Sequence, residues 1–330
     1  MKVCIYGAGA IGGFIGTRLA AAGECSVSAV ARGATLQSLR QHGWRLRQPG
    51  GALQVPAVAS EDPGELGAMD LVVVAVKAPA LAEVALAIGP LLGRHTMVLP
   101  AMNGVPWWFA QSTPALGGEP LRSVDPAGRI GAAIDAQRVV GCVVHASTFT
   151  PEPGLVEQRM GQGLIIGEPA GGESPRVQRL AELLRHAGFD TTVSANVRQD
   201  VWYKLWGNMT INPVSAITAA SVDRILDDPL VLAFCSAAMR EAAQIGERIG
   251  CAVAQTPQDR HAVTRKLGAF RTSMQNDVEA GRAIELDALV TVVHEIGQRL
   301  DIATPNIDAL LGLTRLFARV RGLYPDAQAS

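Results

Sequence analysis

The sequence has little of what nucleic-acid-binding and membrane-spanning proteins need. Aromatic residues make up only 5% of its 330 residues, which is too few for a base-stacking platform. The formal net charge of −1 offers no basic face for a phosphate backbone. No apolar run approaches the roughly 18 residues of a membrane span. We therefore expect neither a nucleic-acid partner nor insertion into a membrane.

Cysteines are also too few and too scattered to organise the fold. There are five, and no two of them form a CxxC or zinc-like pair, which argues against a disulfide framework and a metal site. We expect reduced thiols in a cytoplasmic protein. Apolar residues make up 48% of the chain and charged residues 18%, so disorder is excluded. The length suggests two domains, each with its own core.

The first half of the chain alternates strand-like and helix-like segments. Leu71 to Val76 reads LVVVAV, which is typical of a strand buried on both faces of a parallel sheet. Gly50-Gly51 lies between two alternating segments and predicts a hairpin over Trp44 to Val55. The β-rich segment Val139 to Gly167 predicts antiparallel strands at the edge of the sheet. This order of segments predicts an α/β fold with a doubly wound sheet.

The second half has an almost continuous helical pattern. We therefore place a domain boundary near residues 195–198, with one domain over 1–196 and an all-helical domain over 197–330. Helix breaks are expected near four prolines: Pro213, Pro229, Pro257 and Pro305.

A glycine motif follows the first predicted strand, Lys2 to Tyr6, and opens the first predicted helix, Ala10 to Ala22. This GxGxxG consists of Gly7, Ala8, Gly9, Ala10, Ile11 and Gly12. In this context Gly7 permits a tight turn, Gly9 lets a pyrophosphate approach the backbone, and Gly12 lets helix and strand pack closely. The motif predicts a dinucleotide at the N-terminus of the helix.

The residue after the second predicted strand indicates which dinucleotide is bound. Enzymes that use NAD usually place a carboxylate there for the ribose 2′-hydroxyl, whereas an arginine suits the 2′-phosphate of NADP. Here Arg32 follows the strand, and no Asp or Glu occurs from Ser26 to Ala59. We predict NADP; an ordinary exposed arginine is the alternative.

A row of polar residues in the helical half predicts a substrate site. Lys204, Asn208 and Asn212 recur every four residues and so share one helix face. Buried polar groups need partners, which a substrate with a carbonyl, a hydroxyl and a carboxylate would supply. A solvated polar face with a snorkelling lysine is the alternative. The neighbours of the row are apolar: Trp202, Leu205, Trp206, Met209 and Ile211.

Two further polar segments are candidates. Asn103-Gly104 follows a predicted strand, at the edge where open α/β sheets bind ligands, although it could be an ordinary turn. A polar cluster spans Thr272 to Asp277 and is followed by Glu285; a helix cap or turn at Ser273 and a solvated helix position at Glu285 are the alternatives.

Taken in order, these segments resemble the ketopantoate reductases (2-dehydropantoate 2-reductases) along nearly the whole chain. The glycine motif is common among dinucleotide-binding enzymes. The other matching segments, in their order along the chain, are specific to this family. The resemblance implies a Rossmann-type domain and a C-terminal helical domain like that of 6-phosphogluconate dehydrogenase, enclosing a cleft. It also implies NADPH-dependent reduction of a 2-keto acid in pantothenate biosynthesis. The matching segments are Gly7 to Gly13, Arg32, Val76 to Ala78, Asn103 to Val105, Lys204 to Trp206, Asn208, Asn212-Pro213, Ser273-Met274, Asp277 and Glu285.

The resemblance implies a role for each matching residue. Lys204 would be the general acid, and Glu285 would anchor the substrate hydroxyl and orient that lysine. Arg32 would contact the 2′-phosphate, and Lys77 would lie near the adenosine or the phosphates. Asn103 would lie near the nicotinamide as well as the substrate. The substrate contacts would be Asn103, Asn208, Asn212, Ser273 and Glu285.

Three aromatic residues depart from the family pattern and leave the substrate open. Trp107 and Trp108 are bulky beside a small keto acid, and we interpret them as core residues. Phe270 stands where an asparagine often binds substrate. The alternatives are a 3-hydroxy acid or opine-type dehydrogenase of the same superfamily and a non-catalytic NADPH-binding sensor. The helical domain suits a homodimer interface, although no residue pattern identifies one.

Overall fold

The computed structural model describes residues 1–326, which form two compact units. The Rossmann unit comprises Met1–Trp108 and Gly128–Asp200, and the helical unit comprises Phe109–Ala127 and the chain from Val201 onward. Within the described residues, no helix is long and apolar enough to cross a membrane.

The Rossmann unit contains two sheets and the helices that pack on them. Its strands are β1 (Lys2–Tyr6), β2 (Ser26–Val30), β3 (Trp44–Gln48), β4 (Gly51–Val55), β5 (Val58–Ser60), β6 (Met69–Val74), β7 (Leu92–Pro100), β8 (Gly141–Glu152), β9 (Leu155–Gly167) and β10 (Asp190–Val193). Its helices are α1 (Ala10–Ala22), α2 (Gly33–His42), α3 (Leu81–Ala87), α4 (Arg129–Ala133) and α5 (Pro175–His186).

The first sheet confirms the predicted parallel architecture. Its strand order is β5-β2-β1-β6-β7, and all of its pairings are parallel. Cys4 of β1 pairs with Ser28 on one side and with Val72 on the other. The LVVV part of the apolar run, in β6, has no exposed surface, as expected for a strand covered on both faces.

The predicted position of the later strands at the edge of this sheet is wrong. Strands β8 and β9 are antiparallel, as predicted, but they belong to a second sheet with β3, β4 and β10. The hairpin β3–β4 forms as predicted, and its first strand pairs in parallel with β9, Leu46 opposite Val156. Just before β8, an isolated parallel bridge joins Val139 to Val98 of the first sheet. The second sheet forms because it buries apolar side chains against α1.

Glycines on α1 allow this close packing. A Cβ atom at Gly13 would lie 2.6 Å from a methyl of Val156, and one at Gly16 would lie 2.6 Å from the Trp44 ring. Both contacts are shorter than real Cβ atoms tolerate, so the helix can approach the second sheet only with glycine at these positions.

The helical unit is built from the helices that follow residue 196. They are α6 (Val197–Thr218), whose first four residues group with the Rossmann unit, α7 (Val222–Asp227), α8 (Pro229–Arg248), α9 (Pro257–Arg265), α10 (Ser273–Glu279), α11 (Val292–Arg299) and α12 (Pro305–Val320). A π-helical turn, Asp287–Thr291, directly precedes α11.

Three of the four prolines mark helix starts, and the expected break at the fourth is wrong. Pro229, Pro257 and Pro305 are each the first residue of a helix, where proline is favoured. Pro213 instead lies inside α6, which continues past it. An internal proline costs about 3 kcal/mol or more. Helix α6 tolerates it because Val214 beside it is buried in an apolar cluster of the helical unit.

The half-buried carboxylate of Glu295 is one of the groups that join the segment Phe109–Ala127 to the helical unit. Glu295 of α11 accepts hydrogen bonds from the backbone N–H groups of Arg122 and Ser123 and from the Ser123 hydroxyl, at 2.6–2.8 Å. Burial acts to raise the pKa of Glu295, but the hydrogen bonds from Ser123 and Arg122 outweigh it and lower that pKa.

We expect Gly16→Ala to lower the free energy of unfolding by about 1–3 kcal/mol, because the new methyl overlaps the buried Trp44 ring. Thermal unfolding measures the effect. The matched control is Gly89→Ala, at an exposed position with open space around the Cβ, which should change stability by less than about 0.5 kcal/mol. Equal melting temperatures for the two variants would contradict the packing argument.

Candidate functional site

A groove at the carboxyl ends of β1 and β2 gathers several of the predicted cofactor residues. Gly7, Ala8, Gly9 and Arg32 all line it, as sequence spacing predicts. The remaining members of the motif, Ala10 to Gly12, form the first turn of α1. Val76, from the family-matching segment Val76 to Ala78, also lines the groove. No sequence signal indicates the other lining residues: Tyr6, Val30, Ala31 and Thr35.

The backbone of the glycine motif fits a dinucleotide. Gly7 has a φ of +95°, which favours glycine, and a Cβ atom there would lie 2.7 Å from Val76. A Cβ atom at Gly12 would lie 1.9 Å from the carbonyl oxygen of Gly7. Gly9 has open space beside it and begins α1 without a side-chain cap. The first N–H groups of α1 and its dipole therefore suit a pyrophosphate.

Arg32 lies at the groove but is held by a carboxylate. It precedes the first residue of α2, and its side chain is 66% exposed. Its Nη2 donates to Oε2 of Glu83 in α3 at 2.8 Å, and this hydrogen bond raises the pKa of Arg32. Burial raises the pKa of the neighbouring Tyr6 hydroxyl, and the positive charge of Arg32 opposes that rise.

The two other predicted cofactor residues follow strands of the first sheet. Lys77 comes three residues after β6 and beside Val76 of the groove, and its side chain is half-buried. Asn103 comes three residues after β7 and is also half-buried. Their positions agree with the expectation that ligand-binding residues follow the carboxyl ends of parallel strands.

In the helical unit, Lys204, Asn208 and Asn212 lie on a single continuous helix, α6. Asn212 is 6% exposed, and Lys204 and Asn208 are half-buried. The predicted apolar neighbours on this helix, among them Trp202 and Trp206, are fully buried. The row is therefore the polar strip of a largely buried helix, and its four-residue spacing places the three side chains on one side.

Hydrogen bonds connect the end of this helix to the start of α10. The Ser215 hydroxyl donates to the carbonyl oxygen of Asn212 at 2.8 Å and lies 2.5 Å from the Thr272 hydroxyl. Thr272 caps α10, and Ser273, its first residue, is exposed. The polar row and the Ser273 turn therefore meet through Ser215 and Thr272. Thr272 belongs to the predicted polar cluster, whereas Ser215 and its contact with Thr272 carry no spacing signal in the sequence.

Glu285 lies outside regular secondary structure. It comes two residues before the π-helical turn and is half-buried. The backbone next to it is fixed, since the N–H of Ile284 donates to the carbonyl oxygen of Leu323 at 3.1 Å.

Two of the three aromatic departures are core residues, and the third, Phe270, is half-buried. Trp107 and Trp108 have no exposed surface, and the Trp107 ring N–H donates to the carbonyl oxygen of Ile134 at 3.2 Å, which confirms the interpretation that they pack the core. Phe270 packs on the apolar cluster of the helical unit, and its carbonyl oxygen accepts from the N–H of Val222.

Family models match both halves of the chain. Residues 3–171 match "Ketopantoate reductase PanE/ApbA", and residues 196–318 match "Ketopantoate reductase PanE/ApbA C terminal". A relative from Mesorhizobium japonicum, named 2-dehydropantoate 2-reductase, is 42% identical over 98% of this chain and 100% of its own length. A relative of the same name from Halobacterium salinarum is 30% identical over 97% of this chain and 99% of its own length.

Solved structures agree with the family models. A crystal structure of a candidate ketopantoate reductase from Ralstonia solanacearum MolK2 is 53% identical, covers 98% of this chain and 99% of its own, and superposes with a TM-score of 0.93. Both halves match in the order in which the family has them. The chain belongs to the ketopantoate reductase family of oxidoreductases.

Proposed function

We propose that the protein catalyses the NADPH-dependent reduction of 2-dehydropantoate (ketopantoate), or of a related 2-keto acid, to the 2-hydroxy acid, as a step of pantothenate biosynthesis. The observation that carries this proposal is the row of Lys204, Asn208 and Asn212 on α6, in a chain that is 42% identical to a protein named 2-dehydropantoate 2-reductase. The groove at the glycine motif supports the use of a dinucleotide.

The Rossmann unit would hold the cofactor. NADPH, when bound, supplies the hydride for the reduction. Gly7, Ala8 and Gly9 offer backbone to its pyrophosphate, and the planar guanidinium of Arg32 suits its 2′-phosphate. We assign Lys77 and Asn103 to the same cofactor because both follow strands of the first sheet.

Lys204 holds the proton that the product oxygen receives. Negative charge develops on the oxygen of a keto group as its carbon is reduced, and an ammonium group can neutralise that charge and protonate the oxygen. The half-buried position of Lys204 strengthens such an interaction, because partial burial reduces screening by water.

The other polar residues bind and orient the substrate. The amides of Asn208 and Asn212 can donate to a carboxylate or a carbonyl, and Ser273 offers a hydroxyl at the start of α10. Glu285 can accept from the substrate hydroxyl and hold Lys204 in position. The buried Trp107 and Trp108 supply no surface for an aromatic substrate, so we favour an aliphatic keto acid.

We also propose a cytoplasmic location. All five cysteines are free, and four of them are buried, which suits a reducing compartment. Cell fractionation with an antibody to the protein tests this; recovery from an oxidising compartment would contradict it.

A homodimer through α12 completes the proposal. Leu313, Leu316 and Val320 lie on one side of this helix and are 60%, 62% and 75% exposed. Contiguous exposed apolar residues are typical of interaction surfaces. A ketopantoate reductase from Staphylococcus aureus with the same fold, at 18% identity and a TM-score of 0.73, is described as dimeric, which favours a second copy as the occupant.

We expect Lys204→Ala to lower kcat with ketopantoate by about 10²–10⁴-fold while NADPH binding is retained, because the variant lacks the proton donor. NADPH oxidation followed by absorbance measures kcat, and NADPH fluorescence measures binding. The control is Lys266→Ala, at an exposed lysine of the helical unit, which should leave both values unchanged. A loss of less than about threefold would remove Lys204 from the mechanism.

We expect Arg32→Ala to weaken NADPH binding by about 10–100-fold and NADH binding far less, because only NADPH carries the 2′-phosphate. Titration of both cofactors measures the two dissociation constants. Arg94→Ala, at an exposed arginine of β7, is the control and should affect neither. Equal weakening of the two cofactors would reject the 2′-phosphate contact.

We expect Leu316→Glu to shift the protein from dimer to monomer, because a charge buried at an apolar interface is costly. Size-exclusion chromatography with light scattering measures the mass. Leu86→Glu changes a leucine of the Rossmann unit that is 86% exposed and should leave the dimer intact. A monomeric wild type, or a dimeric Leu316→Glu variant, would contradict the proposed interface.

A further inference from the structure

A carboxylate from a distant part of the chain reaches the groove residue that selects the cofactor. Glu83 lies 51 residues after Arg32, and its Oε2 accepts from Arg32 Nη2 at 2.8 Å. No acidic residue occurs between Ser26 and Ala59, so the sequence around Arg32 indicates a purely cationic site. The folded chain supplies the negative charge from α3 instead.

The order of the first sheet explains why the two side chains meet. Strand β1 lies between β2 and β6. Arg32 comes two residues after β2, and Glu83, in the first turn of α3, comes nine residues after the end of β6. Both therefore follow the carboxyl ends of the strands that flank β1 and its glycine motif. The ion pair therefore connects the segment after β2 with α3, across the end of β1. Tyr6, at the end of β1, interacts electrostatically with both charges.

Glu83 and a 2′-phosphate would compete for the same guanidinium. Both are anions that accept charge-assisted hydrogen bonds from arginine, and the two cannot both accept from the same N–H of Nη2, which Glu83 takes here. A phosphate that displaces Glu83 also leaves a second negative charge close by, which repels it. NADH avoids this competition, because its ribose 2′-hydroxyl can donate a hydrogen bond to a carboxylate. NAD enzymes usually place a carboxylate for this hydroxyl after the second strand, where this chain has Arg32.

We propose that Glu83 is a specificity-determining residue that lowers the preference of this protein for NADPH over NADH by occupying Arg32. The inference rests on the proposed function, since it takes the groove to be the dinucleotide site. Both side chains are about two-thirds exposed, at 66% and 64%, so salt screens the pair and the effect is moderate.

The test is Glu83→Gln, which keeps the shape of the side chain and removes its charge. We expect NADPH to bind about two- to tenfold more tightly, while NADH binding stays the same or weakens. The dissociation constant of NADH divided by that of NADPH therefore rises. Nucleotide fluorescence or calorimetry measures binding without turnover, at low ionic strength. Glu173→Gln, at an exposed glutamate of the same unit, is the matched control and should change neither constant.

A second comparison shows whether the effect acts through Arg32. In an Arg32→Ala background, Glu83→Gln should tighten NADPH binding by a smaller factor than it does in the wild type, because only the repulsion of the phosphate by the carboxylate is relieved and no guanidinium remains to be released. Weaker NADPH binding by Glu83→Gln alone would mean that Glu83 positions Arg32 and would overturn the proposal. An unchanged ratio of the NADH and NADPH dissociation constants would overturn the proposal too. Failure of the proposed function is distinguishable, because it shows in the wild type, either as no measurable NADPH binding or as NADPH binding without reduction of a keto acid, whereas this test compares cofactor binding between variants.

Discussion

The contact between two glycines at the start of the chain is the constraint on which the rest of the Rossmann unit depends. Gly12 packs so closely against Gly7 that a single added Cβ atom would lie 1.9 Å from the Gly7 carbonyl oxygen. This contact fixes the first turn of α1 on β1. It thereby leaves open space where a Cβ atom of Gly9 would lie, at the N-terminus of α1, and sets the position from which α1 meets the second sheet.

Local patterns predicted the elements whose determinants lie within a few residues. Strand β1, helix α1 and the hairpin around Gly50-Gly51 form where periodicity and turn residues indicated. The second sheet could not be predicted, because it depends on β9 pairing with β3, more than a hundred residues earlier. The behaviour of Pro213 was also beyond local rules, since burial of the surrounding helix outweighs the lost hydrogen bond.

The same distinction holds for the candidate site. Spacing alone placed Lys204, Asn208 and Asn212 on one helix, and the glycine motif and Arg32 line a common groove. Glu83 gave no signal in the sequence, because its approach to Arg32 depends on the order of strands in the sheet rather than on its neighbours. The link from Asn212 through Ser215 to Thr272 was invisible for the same reason.

In the proposed function, each unit would contribute one kind of chemistry. The Rossmann unit would offer backbone N–H groups and a guanidinium to a dinucleotide, and the helical unit would offer an ammonium and amides to a keto acid.

The most direct test of this account is the oxidation of NADPH by the purified protein in the presence of ketopantoate, with other 2-keto acids and NADH in parallel. The account predicts turnover of ketopantoate with a higher kcat/KM than the other keto acids. A protein that binds NADPH but reduces none of these acids would contradict the account and favour a non-catalytic sensor.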